Sequence, residues 1–110
     1  MKQGEIWNAN HDPSKGNEQA EFRPVVIVSG NLLNELLQVV FICPLTSKVK
    51  GYKGNPILTP NDLNRLKSKS EILVFHIRSV SKFRLIDKIG TISKEEIKTI
   101  QQTVSDILRY

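Results

Sequence analysis

The sequence has little cysteine and histidine: one cysteine and two histidines occur among its 110 residues. A single cysteine cannot form an internal disulfide, and this composition is typical of a reducing, cytoplasmic environment. His11, Cys43 and His76 are too few to predict a zinc site. Because Cys43 lies within an apolar run, we expect it to be a buried free thiol.

Other features are absent as well. No apolar run is long enough to cross a bilayer, and residues 1–12 lack the apolar core of an export signal, so no membrane partner is expected. The chain has no glycine-rich phosphate loop and no G-x-S-x-G, HExxH or CxxC motif. Acidic residues do not cluster at predicted strand ends, which disfavours a magnesium-dependent nuclease. We therefore predict neither a metal nor a cofactor.

Positive charge is in excess, with 16 Lys and Arg against 11 Asp and Glu, which gives a net charge of +5. The excess lies in the middle of the chain, at Lys48, Lys50, Lys53, Arg65, Lys67, Lys69, Arg78, Lys82, Arg84 and Lys88. Such a field favours a polyanion, either nucleic acid or an acidic protein segment. From charge alone, a solvated surface without a binding partner is an equally good interpretation.

Short apolar runs separated by turn residues predict a mainly β (α+β) fold. The predicted strands are 4–10, 25–28, 38–45, 71–80 and 86–92, with a short one at 56–59. Segment 32–37 fits either a helical turn or a hairpin loop, and 47–55 reads as a mobile loop. An unbroken strand over 71–80 would place His76 and Arg78 on one face, about 7 Å apart.

A helix is predicted at the C-terminal end of the sequence. Ser93 and Glu96 have the spacing of a capping box, in which each side chain bonds the other residue's backbone amide. The helix should run to about Leu108, with an apolar stripe at Ile97, Ile100, Val104, Ile107 and Leu108 that packs on the sheet. The whole chain, 1–110, is thus predicted to be one domain: a small antiparallel barrel with a C-terminal helix.

Several segments, in their order and spacing, resemble the MazF/PemK family of toxin endoribonucleases from toxin–antitoxin systems. They are GEIW (4–7), DPSKGNEQ (12–19), RPVV (23–26), PLTSK (44–48), SEIL (70–73) and IRSVSK (77–82). The resemblance spans nearly the whole chain. It implies an SH3-like barrel, a homodimer, and neutralisation by a cognate antitoxin whose acidic tail covers the basic cleft.

Arg23 is the first candidate for catalysis. Pro24 pushes Arg23 into an extended conformation at the mouth of a strand, and a guanidinium binds phosphate oxygens bidentately. A surface arginine paired with Glu21 is the plainer reading of the residues alone. The resemblance implies that Arg23 and Thr46 are the catalytic pair and that Glu18 contributes as a candidate base. Arginine accepts protons poorly, so we assign Arg23 to transition-state stabilisation and proton donation to the leaving oxygen.

Two loops and one strand supply candidate RNA contacts, because single-stranded RNA is read by stacking and base-edge hydrogen bonds. The candidates are Lys15, Asn17, Gln19, Phe22, Ser47, Lys48, Lys50, Tyr52, His76 and Arg78. His76 departs from the family pattern, in which a glutamine usually precedes the Ile-Arg pair. We interpret it first as an RNA contact, next as a structural histidine and last as a catalytic base.

The residues and the resemblance together predict a metal-independent, sequence-specific endoribonuclease. It would cleave single-stranded RNA by attack of the 2′-hydroxyl and leave a 2′,3′-cyclic phosphate and a 5′-hydroxyl. One alternative is a CcdB-like toxin that traps a topoisomerase, for which Arg23 and Thr46 would be dispensable. Another is a non-catalytic RNA- or peptide-binding module. Both alternatives predict that RNA stays intact.

Overall fold

The computed structural model describes residues 1–10 and 22–110. This part of the chain forms seven strands and two α-helices: β1 (Glu5–Asn10), β2 (Phe22–Ile27), α1 (Asn31–Leu36), β3 (Val39–Thr46), β4 (Ile57–Leu58), β5 (Ser70–Ile72), β6 (Arg78–Ser81), β7 (Leu85–Thr91) and α2 (Lys94–Arg109). Two 3-10 turns, Val74–His76 and Lys82–Arg84, flank β6. Segment 32–37, which the sequence left open, is therefore mainly helical.

The strands form one antiparallel sheet in the order β4, β5, β3, β2, β1, β7, with β6 also paired to β3. The sheet curls so that its two ends approach each other. At the meeting point, the Thr91 amide of β7 donates to the Leu63 carbonyl, 3.0 Å away, in the segment that follows β4. The prediction of a mainly β (α+β) fold, a small antiparallel barrel with a C-terminal helix, is confirmed.

The predicted continuous strand over 71–80 is wrong. The 3-10 turn Val74–His76 divides it into β5 and β6. Side-chain alternation does not continue through such a turn, because a 3-10 turn advances about 2.0 Å per residue and rotates the chain. His76 and Arg78 are therefore not neighbours on one face of one strand, and the spacing predicted for them does not apply.

The register explains why the turn is there. Both β5 and β6 pair with β3: Ile42 lies opposite Arg78, and Leu45 lies opposite Ile72. Three steps along β3 thus correspond to six steps along its partner segment. The turn takes up the extra residues, so that one long strand can pair with two short ones.

Buried aliphatic side chains lie on both faces of the central strands. Val25, Val26 and Ile27 are consecutive and all buried, so β2 contributes to both faces. Val26 belongs to a cluster that α2 covers through Ile100, whereas Val25 and Ile27 belong to a second cluster on the other face. The run predicted as a strand is therefore a central strand buried on both faces.

Helix α2 begins as predicted. The Ser93 side chain accepts from the Glu96 amide at 3.1 Å, and the Glu96 carboxylate accepts from the Ser93 amide at 2.7 Å. Ile100 is buried, but Ile107 is 48% exposed and Leu108 is 80% exposed. The apolar stripe therefore packs on the sheet over its first turns only.

Cys43 is a buried free cysteine, as predicted. It lies within the cluster that α2 covers, and burial raises the pKa of its thiol to about 12. None of the helices in the described ranges has the length and apolar character needed to span a membrane.

Candidate active site

Arg23 and Thr46 lie on the neighbouring strands β2 and β3. Val25 pairs with Pro44. Arg23 lies two residues before Val25 on β2, and Thr46 lies two residues after Pro44 on β3. Because side chains alternate along a strand, these four residues share one face of the sheet. On its other side, the Arg23 backbone pairs with Ala9 of β1. Strand pairing thus fixes the backbone of Arg23 through β1 and that of Thr46 through β5.

A first pocket of about 290 Å³ opens on this face. Its apolar part includes Val25, Ile42 and Val80 of the second cluster. The polar residues around it are Asn10, Arg23, Thr46, His76, Arg78 and Arg84. An apolar floor lowers the local dielectric, so the attraction between these cations and a bound phosphate would be stronger here than in bulk water.

A second pocket, of about 580 Å³, adjoins the first. Arg23, Leu45 and Thr46 line both pockets. The second pocket adds the cations Lys48, Arg65 and Lys67. Among the described residues that line the two pockets, none is acidic. Arg23 and Thr46 therefore sit where two basic depressions meet, an arrangement suited to a polyanion that runs through both.

The Thr46 hydroxyl is positioned by the backbone that follows it. It accepts a hydrogen bond from the Lys48 amide at 3.1 Å. A hydroxyl that accepts in this way keeps its own hydrogen for a further acceptor, such as a phosphate oxygen. Thr46 is the last residue of β3 and is half-buried, so its side chain emerges at a strand end.

A buried carboxylate lies directly across from Thr46. Glu71 of β5 is the backbone partner of Thr46 and has no exposed surface. Its side chain accepts hydrogen bonds from the amides of Lys50 (2.8 Å), Gly51 (2.8 Å) and Tyr52 (3.2 Å), and from Asn55 Nδ2 (2.8 Å). Such saturation is what a buried carboxylate requires in place of water.

This network corrects the prediction of a mobile loop at 47–55. The segment forms no strand or helix, but Glu71 binds three of its backbone amides and one of its side chains. The hydrogen bond from Asn55, together with those from the three amides, outweighs burial and holds the pKa of the Glu71 carboxyl below its ordinary value. The carboxylate therefore stays charged and fixes the loop.

A sequence model of the PemK-like, MazF-like toxins of type II toxin–antitoxin systems matches residues 2–108. The match includes both strands that carry Arg23 and Thr46. The chain belongs to this toxin family. The resemblance drawn from the sequence is confirmed.

Individual family members show the same similarity. Endoribonuclease MazF9 of Mycobacterium tuberculosis is 28% identical over 109 residues, covering 94% of this chain and 92% of the relative. Endoribonuclease MazF of Staphylococcus saprophyticus is 29% identical over 108 residues, covering 94% and 88%. A crystal structure of MazE-MazF from Deinococcus radiodurans superposes with a TM-score of 0.80 at 22% identity, covering 98% of this chain and 95% of that one. This superposition supports the MazF-like fold.

The predicted RNA contacts of this MazF-like chain fall into three groups. His76 and Arg78 line the first pocket, and Ser47 and Lys48 line the second. Phe22, Lys50 and Tyr52 line neither pocket, although Lys50 and Tyr52 belong to the loop anchored by Glu71. The predictions for Lys15, Asn17, Glu18 and Gln19 lie outside the described residues.

Some pocket residues were not predicted from the sequence. Arg84 lines the first pocket, and Arg65 and Lys67 line the second. All three belong to the basic middle of the chain. The charge distribution therefore predicted the region that binds a polyanion, but not which of its residues line the pockets. Arg65 also has a positive φ of 54°, rare for a residue with a side chain, in the turn that Asn64 organises.

The described residues offer no cluster of side chains suited to a metal ion. Within residues 1–10 and 22–110, no three His, Cys, Asp or Glu side chains come together as a possible metal site. The candidate site of this toxin is instead built from guanidinium, ammonium, imidazole and hydroxyl groups.

Proposed function

We propose that this chain is a metal-independent, sequence-specific endoribonuclease acting on single-stranded RNA. The observation that carries the proposal is the placement of Arg23 and Thr46 on one sheet face, at the boundary of two basic pockets. The names of the two MazF relatives, both endoribonucleases, support the same activity.

The chemistry uses a nucleophile that RNA supplies itself. The 2′-hydroxyl oxygen attacks the adjacent phosphorus, the P–O2′ bond forms and the P–O5′ bond breaks. A base takes the 2′ proton, and the leaving 5′-oxygen receives one. The products are a 2′,3′-cyclic phosphate and a 5′-hydroxyl. No metal-bound water is required because no external nucleophile enters.

Arg23 and Thr46 carry complementary roles in this reaction. The Arg23 guanidinium stabilises the negative charge that grows on the phosphoryl oxygens and protonates the leaving oxygen. The Thr46 hydroxyl donates to a phosphoryl oxygen or orients the 2′-oxygen. Two groups are candidates for the base: Glu18, and His76 in the wall of the first pocket.

The decisive experiment incubates purified protein with a long, mixed-sequence single-stranded RNA in EDTA. Arg23→Ala and Thr46→Ala should each slow cleavage by about a hundredfold or more. Arg109→Ala is the matched control, because Arg109 is exposed at the end of α2 and lines neither pocket. Fragments with a 5′-hydroxyl should accept label from polynucleotide kinase without prior phosphatase treatment.

Other outcomes would reject the proposal. RNA that stays intact across many sequences would exclude the nuclease and favour a protein-trapping toxin or a non-catalytic binding module. Cleavage that both pocket variants retain would place the active site elsewhere. Cleavage abolished by EDTA would reject metal independence.

A pH–rate profile identifies the base. If His76 accepts the proton, His76→Gln removes the ascending limb of the profile of kcat against pH. If the limb survives in His76→Gln, the titrating group is another residue, and Glu18→Gln is the next variant to measure.

We further propose the partners that the family implies. A MazE-MazF structure from Deinococcus radiodurans pairs a similar fold with MazE, and the basic pockets of this chain complement an antitoxin with an acidic tail. We also propose a homodimer, since Leu32 and Leu36 of α1 are each 73% exposed and a second copy would cover apolar surface. The chain is proposed to act as one domain, in the cytoplasm where its RNA substrate is found.

A further inference from the structure

Three aromatic rings form a continuous surface beside the first pocket. The Tyr52 and Phe75 ring centroids are 5.8 Å apart with planes at 81°, and the Phe75 and His76 centroids are 4.8 Å apart at 47°. Tyr52 is 52% exposed and Phe75 is 51% exposed. We call these three residues the aromatic ledge. His76 also lines the first pocket, so the ledge and the pocket are contiguous.

The two chain segments that carry the ledge are tied to each other. Tyr52 belongs to the loop that the Glu71 carboxylate anchors, whereas Phe75 and His76 belong to the 3-10 turn. Asn55 bridges them: its Nδ2 donates to Glu71 at 2.8 Å, and its Oδ1 accepts from the Val74 amide at 3.2 Å. The rings are therefore presented by a single hydrogen-bonded unit.

A further tether reaches the loop from α2. The Thr103 hydroxyl donates to the Gly54 carbonyl at 2.5 Å. Gly54 has a φ of +93°, and a Cβ there would lie 3.0 Å from Thr103 Oγ1, so glycine suits this close approach. Hydrogen bonds to Glu71 and to Thr103 thus fix the loop on two sides. Because the loop is already ordered, it loses little conformational entropy when a ligand binds to the rings.

The chemistry of the ledge fits a nucleobase. Half-exposed aromatic rings leave flat apolar surface in water, and unpaired bases stack on such rings whatever their identity. Lys50 and Lys53 lie in the same loop, and Arg78 lines the adjoining pocket. Rings interleaved with cations match a strand of alternating bases and phosphates.

We propose that the aromatic ledge stacks an unpaired base of the RNA next to the phosphate held at Arg23 and Thr46, and that Glu71 and Asn55 are positioning residues for it. This inference rests on the proposed function, because it names the neighbouring subsite of the same substrate. Phe75 thereby joins the substrate-binding residues, although the sequence pattern had placed it inside the predicted strand 71–80.

The test measures stacking without cleavage. The probe is a short 2′-O-methyl oligonucleotide of mixed sequence, which cannot supply the attacking hydroxyl, with 2-aminopurine placed at each position in turn. Stacking quenches 2-aminopurine fluorescence. Wild type should quench the probe at a defined position. Phe75→Ala and Tyr52→Leu should remove that quench and weaken binding by about fivefold to a hundredfold.

Matched controls separate stacking from a general loss of apolar surface. Phe83→Ala and Tyr110→Leu remove rings that are 87% and 96% exposed and line neither pocket, so quench and affinity should not change. Phe75→Tyr should retain the quench. In cleavage assays, Phe75→Ala should raise KM more than it lowers kcat.

Two outcomes distinguish this inference from the proposed function. If wild type cleaves RNA but both ledge variants bind and quench as wild type does, the stacking site is wrong and the nuclease stands. If wild type leaves RNA intact yet quenches the probe through Phe75 and Tyr52, the nuclease is wrong and the stacking site stands.

Discussion

Thr46 and Glu71 are backbone partners across β3 and β5. The first residue carries a hydroxyl at the boundary of the two pockets, and the second is a fully buried carboxylate that anchors the following loop. Because both depend on one stretch of strand pairing, the end of β3 at the pockets and the loop are coupled through the backbone. A change at Glu71 should therefore be felt at the site as well as in the stability of the fold.

Glu71 should make stability depend on acid pH. The pKa of its carboxyl is lowered in the folded chain, first by the hydrogen bond from Asn55 and then by the loop amides. Its stabilisation is thus fully present above the ordinary carboxyl pKa and is lost as pH falls through the lower, folded value. Urea unfolding of wild type should show this loss below about pH 4.5.

Glu71→Gln should lack that part of the pH dependence. At neutral pH it should lower the free energy of unfolding by about 2 kcal/mol or more, because an amide cannot accept from all four donors. Glu95→Gln is the control, since it removes an exposed carboxylate in the first turn of α2. Equal pH profiles for wild type and Glu71→Gln would contradict the anchoring role.

Gly90 should tolerate no side chain. A Cβ there would lie 2.6 Å from the Leu63 carbonyl oxygen and closer still to that of Asn64, both backbone atoms at the meeting point of the sheet ends. Gly90→Ala should therefore lower the free energy of unfolding by about 2 kcal/mol or more. Gly30→Ala is the matched control, because a Cβ there meets nothing within 4 Å. The measurement is the urea concentration at the midpoint of unfolding for wild type and for each variant. Equal midpoints for Gly90→Ala and Gly30→Ala would contradict the close contact between Gly90 and the backbone of residues 63 and 64.

Cys43 should be inert in the folded protein. Burial raises the pKa of its thiol to about 12, and the thiolate is the reactive form. At pH 8, Ellman's reagent should modify folded protein about a thousandfold more slowly than protein unfolded in urea. Similar rates in the two states would show that the thiol is accessible.

Arg84 should contribute a phosphate contact. It is half-buried at the first pocket, whereas Arg109 is exposed on α2 and serves as control. Arg84→Ala should weaken binding of uncleavable single strands about equally for all sequences and reduce the slope of log affinity against log salt by about 0.7. An unchanged slope would mean that Arg84 does not contact the backbone of the strand.

Local sequence patterns determined the elements of this fold that depend on near neighbours. The run 25–28 is a buried strand because its aliphatic side chains fill both faces of a central position. Ser93 and Glu96 begin α2 because a capping box is complete within four residues. Arg23 and Thr46 emerge at strand ends because Pro24 and the polar segment after Thr46 limit the flanking structure. The resemblance to the family added the expectation that these two residues act together at one site.

Long-range pairing decided the rest. Segment 71–80 has the alternation of one strand. However, β5 and β6 pair with β3 in different registers, and the 3-10 turn between them takes up the extra residues. Segment 47–55 is polar and contains two glycines, as mobile loops often do, yet hydrogen bonds to Glu71, 16 to 21 residues away, fix it. Arg65, Lys67 and Arg84 reach the pockets only through the curl of the sheet. The donors that a carboxylate binds and the strands that pair with each other depend on which residues lie close in space. Local spacing along the chain does not determine this.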